Sequence, residues 1–216
     1  MDIFKKISIT RNIQKHMQIL TLCESIVSGR TTREVKDLDI ANIIKSLYYY
    51  AGSVSYKSQL NDYEPLGVVA LVGYYDSSLL SLVPKLAAAL ATGNCVLVVP
   101  HKLNALSAYM FMDICVQSGV PAGVLNLVVS DQDDIYKWVS SNPKINCISF
   151  DGRANVAQDV IIAQSFIHPN KKTLFSLEGK SSMVIYDSAD IDSACESVID
   201  GLLYSNGQVS LKILVL

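Results

Sequence analysis

The stretch from Glu64 to Pro100, EPLGVVALVGYYDSSLLSLVPKLAAALATGNCVLVVP, reads as a strand, a helix and a second strand of a parallel sheet. Leu66 to Gly73 is a short, Val-rich apolar run entered through Glu64-Pro65, the pattern of a strand buried on both faces. Leu79 to Ala91 is rich in Ala and Leu at helical spacing, and Gly93-Asn94 supplies the stop. Cys95 to Val99 is a second apolar strand, closed by Pro100.

The alternation continues along the chain. It predicts helices over Ala105 to Gln117, Asp133 to Ser140 and Asn155 to Phe166, and strands over Val124 to Val129, Ile145 to Phe150, Thr173 to Leu177 and Met183 to Tyr186. Asp190 is placed to cap a helix reaching Tyr204. Strand ends near Gly73, Val99, Val129 and Phe150 recur at the spacing of right-handed crossovers. The expected fold is therefore α/β, a Rossmann-like doubly wound, mostly parallel sheet over residues 64–216. Upstream, residues 1–63 form an N-terminal helical segment that packs on the sheet. Its helices run from Asn12 to Ser28, ending at Gly29, and from Ile40 to Tyr56. The second carries Tyr48, Tyr49 and Tyr50, read as sheet packing with exposed tyrosine edges rather than as an aromatic platform.

Composition narrows the function classes. The 216 residues are 50% hydrophobic and 18% charged, with mean hydropathy +0.30, so part of the surface is expected to be covered. A net charge of −2 provides no basic footprint for nucleic acid. Pro84 and Lys85 interrupt the longest apolar stretch, which predicts no membrane span. The start MDIFKKISITRNIQKH lacks the apolar centre of a secretory signal, and a cytoplasmic location is expected. The five cysteines (Cys23, Cys95, Cys115, Cys147, Cys195) show no metal-ligand spacing and read as reduced, mostly buried thiols.

Seven phrases occur in one order: SLYYYAGSVSYK, EPLGVVAL, KLAAALATGN, SGVPAGVLNLV, ISFDG, LEGKSSMVIYDSADID and YSNGQ. From Met17 onward they make the chain resemble the aldehyde dehydrogenase superfamily, and specifically its NAD-binding half. VLVVPHKLNAL and SDQDDIYKWVSSNPKI are most similar to the degenerate, truncated C-terminal module of aldehyde dehydrogenase family sixteen. The resemblance implies NAD or NADP as cofactor. It also implies a cysteine that attacks an aldehyde, an asparagine and backbone amides that hold the oxyanion, and a glutamate that activates water.

On this chain the family's asparagine falls at Asp76, its glutamate at Ser176 and its cysteine at Ser210. A carboxylate at Asp76 opposes a developing oxyanion, Ser176 is no base at neutral pH, and Ser210 is a weak nucleophile without an evident histidine partner. Cys147, in a buried strand, and Cys195, in a helix, are not placed to replace the lost thiol. The cofactor contacts are altered too. Where the family puts a ribose-holding lysine followed by Pro-Ser-Glu, this chain has Val99, Pro100, His101 and Lys102. Its Thr-Gly-Ser turn is here Asp151, Gly152, Arg153. Lys102 and Arg153, beside Gly152, are the residues left to meet a phosphate or ribose. The alternative is that Asp151 caps a helix and both cations are solvated.

Two further departures concern assembly. The Lys57 to Tyr63 connection is too short for the family's oligomerisation hairpin, and the apolar run Leu211 to Leu216 follows soon after the vestigial site. Such a strand needs a partner: the sheet itself, another chain, or the remainder of a longer protein. The sequence reading is thus of an inactive relative with a structural or protein-interaction role. A dinucleotide sensor and an active NAD(P)-dependent oxidoreductase are the alternatives.

Overall fold

A computed structural model describes residues 3–54, 63–73, 79–131, 134–158, 170–207 and 211–215. Five strands form one parallel sheet: β1 (Val68–Val72), β2 (Cys95–Val99), β3 (Leu125–Leu127), β4 (Cys147–Gly152) and β5 (Lys172–Leu177), in spatial order β3-β2-β1-β4-β5. The order grows outward from β1 in both directions, as a doubly wound sheet does. Register is continuous at the centre, with Val72 opposite Val99 on one side and Phe150 on the other, so the carboxyl ends of β2, β1 and β4 are level.

Alternation along the strands builds a core on each face. Val69, Leu71, Val96 and Val98 point to the larger core. It is covered by α1 (Ile3–Lys15), α2 (Met17–Ser28), α4 (Ala41–Ser53), α5 (Leu79–Ala91) and α6 (Ala105–Gln117). Ala70, Val72, Ile148 and Phe150 point to the smaller core, where Tyr136 and Val139 of α7 (Asp134–Ser141) pack and Tyr136 meets Phe150 edge-on with centroids 6.1 Å apart. Ile13, Leu20, Ile43 and Leu47 belong to the same cluster as the strands, so the N-terminal helices close the sheet rather than stand beside it.

The structure adjusts several expected elements. The helix expected from Asn12 to Ser28 is two, broken at His16, whose backbone leaves the helical region while its ring bonds the Asn12 carbonyl. The second ends as anticipated at Gly29, in the left-handed conformation (φ 72°). One turn of helix, α3 (Thr32–Glu34), and a π-helical segment, Val35–Ile40, lead into α4 (Ala41–Ser53); residues 55 and 56 of the expected helix lie outside the described residues. The third strand is only Leu125–Leu127. Of the helix expected over Asn155 to Phe166, the described part is α8 (Ala154–Val156), continued as π-helix through 157–158, and residues 159–166 lie outside the described residues.

The strand expected over Met183 to Tyr186 is instead β6 (Gly179–Met183), paired in parallel with β7 (Leu211–Val215) apart from the main sheet. Apolar Val184 and Ile185 suggested the later position. The backbone pairing instead falls on Gly179, Lys180 and Ser181, so hydropathy did not mark it. The apolar run near the C-terminus therefore finds its strand partner within the chain. Between these strands, α9 (Ile191–Leu203) begins at Asp190, whose carboxylate accepts from Ser193 N at 3.1 Å as the expected cap.

Candidate functional site

The carboxyl ends of β2, β4 and β5 carry the described residues singled out from the sequence. Ser176 is the fifth residue of β5 and stands opposite Asp151 of β4. Lys85, from the middle of α5, reaches both: its ammonium pairs with the Asp151 carboxylate and donates to Ser176 Oγ at 3.0 Å. Lys85 is the residue that sequence reasoning missed, having used it only as an interruption of an apolar run. The available signal was a single cation in an otherwise uncharged 13-residue helix, where burial demands a counter-charge.

Asp151 is consequently not a helix cap. Arg153 occupies the position before α8 and makes no side-chain cap bond, while Asp151 remains in the strand facing Lys85. Arg153, half-exposed, has its Nε 3.8 Å from Glu178 Oε2. Gly152 ends β4 between these two cation–carboxylate pairs. Lys102 lies two strands away, past β1, in a single 3₁₀ turn (Lys102–Asn104) after β2, where His101 Nδ1 accepts from Leu103 N at 3.3 Å. It is exposed. The sheet thus puts Lys102 and Arg153 on one edge, and β1 keeps their strands apart. Asp76 and Ser210 lie outside the described residues.

Cysteine chemistry is restricted by burial. Cys147 is buried in β4 and its thiol is pushed up by desolvation; Cys115, in α6, is pushed up to about 12 for the same reason. A thiol so raised supplies no thiolate at neutral pH. Cys195 departs from expectation, being exposed on α9. Among the described residues no group of three His, Cys, Asp or Glu side chains could hold a metal, and no helix is long and apolar enough to cross a membrane.

Behind this edge sits a buried charge cluster that the sequence reading did not single out. Arg30 forms a two-armed pair with Asp39, the first arm Nη1 to Oδ1 at 3.1 Å. Its Nη2 lies 3.6 Å from Glu24 Oε1, which also accepts from Leu79 N at the start of α5 (3.2 Å). Burial raises the Glu24 pKa, against the lowering effect of the Ser107 and Leu79 hydrogen bonds, and its Oε2 has no hydrogen-bond partner among the described residues. Glu34, 3.7 Å from Arg30, accepts from Ser205 N at 3.0 Å, and Asn206 Nδ2 donates to the Gly29 carbonyl at 2.8 Å. Ser205 and Asn206 both have positive φ (53° and 55°), a conformation that costs on the order of 1 kcal/mol or more per residue unless its surroundings impose it. The N-terminal cluster imposes it. It thereby sets the course of the chain at Ser205 and Asn206.

This fold and sequence have known counterparts. The family model described as "Aldehyde dehydrogenase family" matches residues 3–215. An aldehyde dehydrogenase of Agaricus bisporus is 30% identical over 207 residues, covering 91% of this chain and 41% of that protein. Among solved structures, the NAD⁺ complex of an aldehyde dehydrogenase from Bacillus cereus superposes with TM-score 0.89 at 24% identity, over 99% of this chain and 46% of that one. Betaine aldehyde dehydrogenase from Staphylococcus aureus, solved with NAD⁺, superposes with TM-score 0.87 at 24% identity, over 98% and 44%. The chain spans less than half the length of each of these relatives. With the doubly wound sheet and nearly the whole chain matched, the protein belongs to the aldehyde dehydrogenase family.

Proposed function

We propose that this chain is an aldehyde dehydrogenase-type module that has lost catalysis and serves a structural or protein-interaction role. The observation that carries the reading is Lys85, held between Asp151 and Ser176. Ser176 occupies the position that the resemblance assigns to the water-activating glutamate. A hydroxyl that accepts from an ammonium is in no state to take a proton from water. At the end of β4 two cations, Lys85 and Arg153, each face a carboxylate. Paired in this way, the two side chains offer no surplus positive charge to the pyrophosphate of NAD or NADP.

The pattern of loss agrees best with the degenerate module of family sixteen, and the expected setting is cytoplasmic, beside a protein partner or the remainder of a longer chain. The second reading, a dinucleotide sensor without turnover, draws on Arg153 and Lys102 sharing one sheet edge. Calorimetric titration of the folded chain with NAD⁺ and NADH decides between them. The proposal expects no heat up to millimolar ligand. Saturable binding that Arg153→Ala weakens would replace it with the sensor.

A further inference from the structure

We propose that Asn206 is a site of spontaneous deamidation, and that this modification unlatches the turn Tyr204–Gly207 from the N-terminal helices. Asn206-Gly207 is the one Asn-Gly pair in the 216 residues. Glycine has no Cβ to shield its amide, so its nitrogen reaches a preceding side-chain amide more readily than that of any other residue. The Gly207 nitrogen attacks Cγ of Asn206, the Cγ–Nδ2 bond breaks, and ammonia leaves with the proton that the backbone amide gives up. Water then opens the cyclic imide to aspartate or isoaspartate. The only co-reactant is water, and both residues are exposed to it.

The latch sets when this happens. Asn206 Nδ2 donates to the Gly29 carbonyl at 2.8 Å, and Glu34 Oε1 accepts from Ser205 N at 3.0 Å. These bonds hold Ser205 and Asn206 at φ 53° and 55°, with Gly207 following at 68°. In the latched turn the leaving nitrogen is engaged by a residue 177 positions away. Once the bonds break, nothing offsets the cost of two non-glycine residues in the left-handed region, and the turn relaxes to conformers in which the imide ring closes. Attack therefore follows local opening. The product does not relatch: aspartate has no side-chain N–H for the Gly29 carbonyl and sets a carboxylate against it, and isoaspartate lengthens the backbone by one carbon. The turn so released is the link that leads from α9 toward β7.

The test incubates the folded full chain in mildly alkaline buffer made with heavy-oxygen water, so that only new events are labelled, and reads its peptides by mass spectrometry. Asn206 is expected to take up the label as both aspartate and isoaspartate, slowest in the wild type. Glu34→Gln, which keeps an acceptor but loses the charge, is expected to be faster, and Glu34→Ala faster than wild type by at least about tenfold. Circular dichroism checks that each variant is folded, and Glu34→Gln alone carries the comparison should Glu34→Ala unfold. Asn206→Asp, the product itself, is expected to speed hydrogen exchange at the Ser205 amide by about tenfold or more. An Asn206 that stays unlabelled in the folded Glu34 variants, or is labelled at one rate in all the chains, overturns the site. A Ser205 amide that exchanges no faster in Asn206→Asp overturns the unlatching.

Discussion

At the scale of the residue, three carboxylates share one guanidinium in the cluster of Glu24, Glu34, Asp39 and Arg30, and the consequence is a pH-dependent stability. The Glu24 pKa is raised in the folded protein, so the native state binds this proton more tightly than the unfolded chain. Stability from it is complete below the ordinary carboxylate range and is lost as pH rises through the raised value. Glu24→Gln keeps an acceptor for Leu79 N and removes the charge. It should therefore be more stable than wild type at neutral pH, with the difference shrinking toward pH 4, as urea unfolding across that range will show. Arg30→Met should destabilise by about 3–5 kcal/mol, because it leaves Asp39 charged and buried without its partner. Ser210→Cys alone should produce no NADH from aldehydes, since Ser176 remains tied to Lys85; NADH formation by that variant would contradict the account of the site. The sequence identified Ser176, Gly152, Arg153 and Lys102 as positions worth watching. It could not assign Lys85 to Asp151, because the two are 66 residues apart and meet only across the sheet.

Elements are held together by a few contacts that local pattern does not reveal. Gly67 enters β1 at φ 112°, and a Cβ there would come within 2.5 Å of Asn146 Oδ1, the atom that accepts from Val68 N and ties β1 to β4. Gly119 also has positive φ (87°), but nothing lies within 4 Å of its would-be Cβ. Gly67→Ala should therefore cost about 2–3 kcal/mol, combining backbone strain with a displaced hydrogen bond, and Gly119→Ala about 1 kcal/mol from strain alone. Denaturant unfolding of the pair separates the two contributions. The buried Lys171 ammonium donates to the carbonyls of Ser140 (2.5 Å) and Asn142 (2.8 Å), closing the C-terminal end of α7. Lys171→Met should cost about 1–3 kcal/mol by leaving those acceptors unmet. Most of the α/β alternation was legible because buried strands and Ala-Leu helices carry strong hydropathy signals. The break at His16 and the strand Gly179–Met183 were not, since neither is marked by hydropathy.

For the whole molecule, the apolar surplus in the composition corresponds to particular surfaces. One is the α2–α6 face, where Ile19, Leu22, Ile26 and Tyr109 are exposed. The other is α9, where Ile191, Ile199, Leu202 and Leu203 are exposed and no residue is buried. The expectation that part of the surface is covered was drawn from composition alone, and the tertiary arrangement locates the faces concerned. Sequence by itself determined the doubly wound class, the positions of the crossovers and the family, because these follow from local periodicity and from phrases in a set order. The resemblance read from it also assigns serine, at Ser176 and Ser210, to the family's glutamate and cysteine positions. Only the tertiary structure decided that Lys85 binds Asp151 and Ser176, that Arg30 gathers three carboxylates, and that Glu34 and Gly29 hold the turn at Ser205 and Asn206. Those pairings join residues up to 177 positions apart. Coulombic and hydrogen-bond partners are chosen by proximity in space, and the sequence records that proximity only through the fold it makes.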